Sequence, residues 1–227
     1  MTAKFPNVQA IIFDAYGTLF DVGAAVASCS DIPPAQRAML AALWRDKQLQ
    51  YTWLRALQKR HADFGQVTAE ALDYALEVTG LASPPLRQRL LALYQTLDAY
   101  RDVAATLEAL RARGLITGIL SNGTPGMLRA AVEHAGISHL LDHVLSVEEV
   151  GVFKPAPEVY QLAVDRLGLP ALDIGFVSAN GWDAYAASAF GFQVIWCNRT
   201  AQPAERLPGT PHHMIQSLAE LSALTFN

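Results

Sequence analysis

The sequence predicts an α/β protein in which helices cover both faces of a parallel sheet. Two observations support this prediction. From about residue 98 onward, short apolar runs typical of buried strands alternate with segments of helical periodicity. A long stretch from about residue 34 to 97 carries helical patterns without any strand signal. We therefore expect a helical block inserted between the first strand and the rest of the sheet.

The first strand is predicted from Val8 to Phe13, an apolar run that leads into a tight turn at Gly17. In the helical block, two further helices are expected at about 68–77 and after Ser83, a capping residue type that precedes two prolines. The first long helix is indicated by apolar residues at helical spacing, namely Met39, Leu40, Leu43, Trp44, Leu54 and Leu57.

The remaining elements alternate along the chain. Strands are expected at about 115–120, around Val144, at 174–177 and at 193–197, and helices at about 103–113, 124–134, 157–167 and 183–190. A late surface loop is marked by Pro203, Pro208, Gly209 and Pro211.

Composition excludes several classes of function. A net charge of −4 offers no basic surface for nucleic acid. Cys29 and Cys197 form no CxxC pair, and the six histidines form no metal-spaced set, so neither a disulfide framework nor a zinc site is expected. Without a stretch of about 20 apolar residues or a secretory signal, we expect a cytoplasmic protein with no membrane partner.

Polar side chains collect at the predicted carboxyl ends of the strands. Asp14 ends the first strand, residues 121–122 follow the next, and residues 178–183 follow a third. Lys154 precedes a helix on the same side. Because these ends face one crevice in a parallel sheet, distant residues are expected to be neighbours. A carboxylate nucleophile, an ammonium group, polar donors and a second carboxylate would form a covalent-catalysis site.

Each of these residues alone has a plainer explanation. Asp14 also suits a turn cap, and residues 121–123 are ordinary turn chemistry. Lys154 would be ordinary as a solvated lysine, and Asn180 and Asp183 as helix caps. The functional interpretation therefore depends on their convergence on one crevice.

Four segments resemble the motifs of the haloacid dehalogenase superfamily. Residues 13–19 are similar to its first motif, 120–123 to its second, 153–155 to its third and 176–183 to its fourth. Their order and spacing agree along nearly the whole chain. The resemblance implies a Rossmann-like core formed by residues 1–19 and 98–227, with residues 20–97 as a helical cap domain.

Within that superfamily the sequence is most similar to the L-2-haloacid dehalogenases. Most members are magnesium-dependent phosphotransferases with a second aspartate two residues after the nucleophile, which protonates the leaving alcohol and whose carbonyl helps hold the metal. Here Tyr16 occupies that position and cannot act as the acid. The helical segment 43–53, the fourth motif and Tyr160 also resemble the dehalogenases. The chain departs from their pattern at Asp46, Arg101 and Ala179.

The resemblance implies hydrolysis of short (S)-2-haloalkanoic acids to (R)-2-hydroxy acids and halide, with no cofactor and no metal, by a homodimer. Asp14 would attack C2 with inversion, and water would then hydrolyse the ester. Lys154 would keep Asp14 ionised. Asp183, with Asn180, would position or deprotonate the water, although Lys154 remains an alternative base. Hydrogen bonds around Asp14 are expected from Thr18 and Ser178.

Substrate contacts are expected from both the core and the helical block. Arg45 is the candidate halide acceptor, with a solvated helix face as the alternative. Asn122 and the edge of Trp182 would assist it, and Ser121 would bind the substrate carboxylate. Tyr160 would orient Lys154 or that carboxylate. The apolar wall around the alkyl group would comprise Tyr16, Leu49, Phe64 and Trp182, with core packing an equal alternative for Phe64.

Three other functions stay open. A phosphatase of the same superfamily is the nearest, and Tyr16 argues against it. A non-catalytic binding protein with this fold is the second, and the complete set of polar residues argues against it. A nicotinamide-binding protein is disfavoured because no G-x-G-x-x-G follows the first strand.

Overall fold

A six-stranded parallel sheet forms the centre of the protein in the computed structural model, which describes residues 3–226. Its strands are β2 Ala10–Phe13, β3 Ile116–Ser121, β4 His143–Ser146, β5 Ile174–Ser178, β6 Gln193–Cys197 and β7 His213–Ile215. They lie in the order β4-β3-β2-β5-β6-β7. A separate parallel pair, β1 (Lys4–Phe5) and β8 (Thr225–Phe226), brings together the two ends of the described chain.

Helices flank this sheet, which confirms the predicted fold class. After β2 come α1 (Ala24–Ala27), α2 (Pro34–Gln58), α3 (Phe64–Thr79) and α4 (Pro84–Gln95), with α2 and α3 packed along each other. The helices that alternate with the later strands are α5 Val103–Ala112, α6 Pro125–His134, α7 Pro157–Leu167 and α8 Gly181–Phe190. The boundaries expected for a cap domain, 20–97, stay a prediction.

The register of the central strands places their ends at one level. Phe13, the last residue of β2, lies opposite Ile119 of β3 and Val177 of β5. All four residues of β2 are fully buried, as a strand with neighbours on both sides and covered faces must be. The side chains that follow these three strands therefore emerge at the same edge of the sheet.

The structure differs from the sequence-based expectations in three places. Ser83 immediately precedes α4, but its hydroxyl makes no capping hydrogen bond to a backbone N–H of the first turn. On α2, Leu40 and Trp44 are buried, whereas Met39, Leu54 and Leu57 are exposed. The strands β1, β7 and β8 and the short helix α1 were not predicted, because two to four residues carry too little periodicity.

Residues 3–226 contain no helix with the length and hydrophobicity that a bilayer crossing requires.

Candidate active site

The nucleophile candidate lies in a tight turn directly after β2. The Asp14 N–H donates to Val177 O at 2.9 Å, which continues the sheet ladder by one residue. Gly17 has a φ of +92°, a conformation that favours glycine, and the turn closes on Ala15 O. Because the chain folds back within four residues, the Thr18 hydroxyl reaches the Asp14 carboxylate.

Three donors hold the Asp14 carboxylate, which is only 6% exposed. Oδ2 accepts hydrogen bonds from Thr18 Oγ1 at 2.9 Å and Asn180 Nδ2 at 2.8 Å. Oδ1 accepts one from Lys154 Nζ at 3.2 Å. The two oxygens are therefore unequal, since Oδ1 has one donor and Oδ2 has two.

Lys154 bridges two buried carboxylates. Its ammonium lies 2.9 Å from Asp183 Oδ2 and also contacts Asp14, and both Lys154 and Asp183 are at least 99% buried. Burial alone would lower the pKa of Lys154, but the charges of Asp14 and Asp183 outweigh it and raise that pKa. Burial raises the pKa of the Asp183 carboxyl, an effect that Lys154 opposes. Asp14, Lys154 and Asp183 therefore lie together, as the sequence analysis expected.

The sequence analysis expected Tyr160 to orient Lys154 or the substrate carboxylate, whereas in the structure its hydroxyl bonds to Asp183. Its hydroxyl donates to Asp183 Oδ1 at 2.8 Å. The ring packs between Phe190, at 5.6 Å, and Phe176, at 6.0 Å, which directs the hydroxyl to the carboxylate. Burial, followed by the charge of Asp183, raises the pKa of Tyr160 well above its ordinary value, so the hydroxyl stays a donor.

Ser178 also differs from expectation, because its hydroxyl does not bond to Asp14. It accepts from the Asn180 N–H at 3.1 Å and so stabilises the turn that follows β5. That turn directs the Asn180 amide towards Asp14 and towards Tyr16 O, at 3.1 Å. Thr18 Oγ1 in turn accepts from the Ala179 N–H at 2.8 Å. Ser178 therefore acts on Asp14 only through Asn180.

Aromatic rings from the helical block close the site over Tyr16. The Tyr16 ring stacks on Tyr94 at 5.5 Å and lies 5.6 Å from Phe64, which is 1% exposed. A Cβ on Gly123 would lie 2.7 Å from the Tyr16 ring, so residue 123 admits only glycine without a shift. Burial raises the pKa of the Tyr16 hydroxyl well above its ordinary value. The sequence analysis missed Tyr94, whose spacing from Leu90 signals only a buried helix face.

Arg45 of α2 points into the site. Its guanidinium donates to Asn180 Oδ1 at 3.2 Å, to Tyr16 O at 3.3 Å and to Gln48 Oε1 at 2.8 Å. These contacts exclude the alternative of a solvated helix face. Leu49 lies one helical turn beyond Arg45 on the same face and is half-buried.

Ser121 is the last residue of β3, and Asn122 follows it at the same edge of the sheet. The fully buried Ser121 hydroxyl accepts from the Gly123 N–H at 3.1 Å. Asn122 Oδ1 accepts from the Lys154 N–H at 3.0 Å, so its amide nitrogen is the group that remains to donate to a ligand. This bond also ties the segment that carries Lys154 to β3.

Trp182 lies in the wall of an apolar cavity beside Tyr160. Its indole packs edge-on against Trp53 at 5.5 Å, and both indole N–H groups are buried without a partner in residues 3–226. A cavity of about 490 Å³ lies against Trp182, Trp53 and Tyr160 and is lined almost entirely by apolar side chains. Asp14 does not line this cavity.

The residues present do not suit a magnesium ion beside Asp14. The carbonyl of Tyr16 already accepts hydrogen bonds from Arg45 and Asn180. Lys154 supplies the positive charge between Asp14 and Asp183. Across residues 3–226, no three His, Cys, Asp or Glu side chains group as metal ligands.

Comparisons with known proteins agree with this geometry. Residues 8–191 match the model of the haloacid dehalogenase-like hydrolases. The chain is 45% identical to (S)-2-haloacid dehalogenase 1 of Pseudomonas sp. (strain CBS-3), over 96% of each chain. It is 43% identical to (S)-2-haloacid dehalogenase 4A of Burkholderia cepacia, over 95% of this chain and 94% of that one.

Solved structures give the same result. The L-2-haloacid dehalogenase of Xanthobacter autotrophicus with chloropropionic acid covalently bound superposes with a TM-score of 0.88 at 36% identity, over 95% of this chain and 97% of that one. A dehalogenase with an intermediate complex superposes with a TM-score of 0.93 at 42% identity, over 95% and 96% of the two chains. The chain therefore belongs to the haloacid dehalogenase-like hydrolases, and within them to the family of the (S)-2-haloacid dehalogenases.

Proposed function

We propose that the protein hydrolyses the carbon–halogen bond of short (S)-2-haloalkanoic acids and releases halide and (R)-2-hydroxy acids. One arrangement carries this proposal. A buried Asp14 carboxylate faces the Lys154 ammonium, while Tyr16 stands where a leaving-group acid would be needed for a phosphate ester. Halide leaves as a stable anion and needs no proton. The relatives named above are (S)-2-haloacid dehalogenases, which supports the same reaction.

In the first step, Asp14 attacks C2 of the substrate. The attacking atom is Oδ1, because it carries one hydrogen bond and Oδ2 carries two. A bond forms between Oδ1 and C2 while the carbon–halogen bond breaks, and its electron pair leaves with the halide. Attack from the opposite side inverts C2. Lys154 keeps Asp14 ionised for this step.

In the second step, water hydrolyses the ester. Its oxygen attacks the carboxyl carbon of Asp14, the bond between that carbon and the ester oxygen breaks, and the former Oδ1 leaves as the product hydroxyl. The proton lost by water passes to Asp183 and then to the departing oxygen. The raised pKa of Lys154 keeps its ammonium protonated, which favours Asp183 over Lys154 as the base. Burial raises the pKa of Asp183, which suits that role.

Binding uses groups on both sides of the site. Arg45 receives the halide, aided by the Asn122 amide and the unpaired indole N–H of Trp182. Ser121 and backbone N–H groups of the turn after β2 bind the substrate carboxylate. The alkyl group packs on the apolar wall, for which the candidates are Tyr16, Leu49, Phe64 and Trp182. Burial of Asp14 excludes water during alkylation and favours the anionic nucleophile.

We also propose a cytoplasmic homodimer, as the family resemblance implies. The apolar side chains that α2 and α3 leave exposed support self-association, and they are Met39, Leu54, Leu57, Tyr74 and Val78. Light scattering coupled to gel filtration tests this, and a mass of one chain at micromolar concentration would contradict it.

Halide release from (S)-2-chloropropionate in the presence of a chelator tests the function. We expect release by the wild-type protein and none by Asp14→Asn. A single turnover with excess enzyme in oxygen-18 water then tests the intermediate, because label should enter the Asp14 carboxylate and not the first-formed product. Metal-dependent cleavage of an aryl phosphate with no halide released would instead establish the phosphatase alternative.

A further inference from the structure

We propose that Gln48 is a positioning residue that fixes the Arg45 guanidinium for halide departure. This inference rests on the proposed function, because it takes Arg45 as the halide acceptor. Gln48 lies on α2 three residues after Arg45 and is 1% exposed. An amide so fully buried is costly unless its donors and acceptor are all used.

Gln48 is held from two other helices while it holds Arg45. Its Oε1 accepts from Arg45 Nη1 at 2.8 Å. Its Nε2 donates to Thr68 Oγ1 of α3 at 2.7 Å and to the Tyr94 hydroxyl of α4 at 3.1 Å. Three helices of the block therefore meet at this one amide.

The hydrogen bonds dictate which way the amide faces. The Thr68 hydroxyl donates its single proton to Phe64 O at 2.6 Å, so its oxygen accepts from Gln48. The NH₂ group of Gln48 must therefore face Thr68, and its carbonyl must face Arg45. Since Arg45 has only donors, the reverse orientation would place two donors against each other.

Arg45 needs this restraint because packing leaves it room. A void of about 30 Å³ lies between Arg45, Gln48 and Tyr94. The bonds of Arg45 to Asn180 and Tyr16, at 3.2 and 3.3 Å, are longer than its bond to Gln48. A donor stabilises a departing anion most when it is already in place, so a guanidinium free to swing would lose part of its effect.

The neutral amide also preserves the charge of Arg45. A carboxylate at residue 48 would form an ion pair with the guanidinium and weaken its attraction for a second anion. Glutamine orients the guanidinium without neutralising it.

The test compares Gln48→Met with Thr52→Val in the full-length protein. Thr52 is buried one helical turn beyond Gln48, and its hydroxyl bonds only within α2, to Leu49 O. Both variants remove a buried polar group, and both should be less stable. Only Gln48→Met should raise the inhibition constant of bromide, by about tenfold or more, since a lost hydrogen bond to a charged group has that effect.

A second readout separates positioning from a structural role. Gln48→Met should lower kcat for 2-chloropropionate more than for 2-bromopropionate, because chloride is the poorer leaving group and depends more on Arg45. Thr52→Val should keep the wild-type ratio. Wild-type bromide inhibition and a wild-type chloride-to-bromide ratio in Gln48→Met would overturn the assignment.

Gln48→Glu serves if Gln48→Met does not fold. It retains an acceptor for Arg45 but adds a negative charge, so bromide inhibition should weaken here too, and unchanged inhibition would overturn the assignment. Absence of halide release by the wild-type protein would refute the proposed function, and this assignment with it. Normal wild-type release with unchanged bromide inhibition in the variants would refute the role of Gln48 alone.

Discussion

Replacement of Lys154 by Met should destabilise the protein in a pH-dependent way and abolish halide release. In the wild-type protein one ammonium compensates two buried carboxylates, Asp14 and Asp183. Methionine fills a similar volume but leaves both carboxylates without a cation. The loss of activity follows because Asp14 can then avoid its buried charge by protonation, and a protonated carboxyl is a poor nucleophile.

The size of the stability loss follows from the distances. Lys154 Nζ lies 3.2 Å from Asp14 Oδ1 and 2.9 Å from Asp183 Oδ2. At an effective dielectric constant of about 20, each attraction amounts to about 5 to 6 kcal/mol. The cost of burying the ammonium offsets much of this, so we expect a net loss of about 3–5 kcal/mol. In a chain of this size that lowers Tm by about 6–20 °C.

The same charges determine in which direction the stability of Lys154→Met changes with pH. Without the cation, burial and mutual repulsion raise the pKa of a carboxyl in the folded protein above its unfolded value. The folded state then binds a proton more tightly than the unfolded state, so its stability increases as pH falls. The difference in Tm between Lys154→Met and the wild type should therefore shrink from pH 7 to about pH 5.

Calorimetric unfolding at the two pH values measures these quantities, with Lys4→Met as the matched control because Lys4 is exposed. The double variant Lys154→Met with Asp183→Asn has one buried carboxylate fewer than Lys154→Met alone. It should therefore recover at least half of the decrease in Tm but none of the activity. An equal loss of Tm at both pH values, or no recovery in the double variant, would refute the electrostatic explanation.

Asp183→Asn removes the proposed base, so turnover should stop at the ester. Intact-protein mass spectrometry after addition of 2-bromopropionate should then find a persistent adduct, and an unmodified chain would contradict this role. Tyr160→Phe removes one hydrogen bond from Asp183 and should slow ester hydrolysis about tenfold. The initial burst of halide should keep its wild-type rate, and equal slowing of both phases would argue against a role through Asp183. Because the pKa of Lys154 is raised above its ordinary 10.5, the burst rate and the stability that its ion pairs contribute should persist to about pH 10 and be lost only at higher pH. A loss of burst rate centred near pH 8, measured by rapid mixing, would show that the ammonium is not held in this way.

Much of the site could be predicted because it follows from a general property of parallel sheets. Asp14, Ser121 and Ser178 end or directly follow strands, and strand ends can be recognised from local apolar runs. The residue type at each end then indicated the chemistry. The exact partners were less predictable, as Ser178 and Tyr160 illustrate. Both lie in the predicted region, but packing directs their hydroxyls to Asn180 and Asp183.

The sequence by itself determined the fold class, the insertion of the helical block and the identity of the charged residues at the strand ends. These properties depend on periodicity and spacing, which are local. Tertiary structure alone decided that Gln48, Thr68 and Tyr94 join Arg45 in one buried network, since it depends on how three separate helices pack. A helical pattern shows which face of a helix is buried, but not which side chain of another helix it meets.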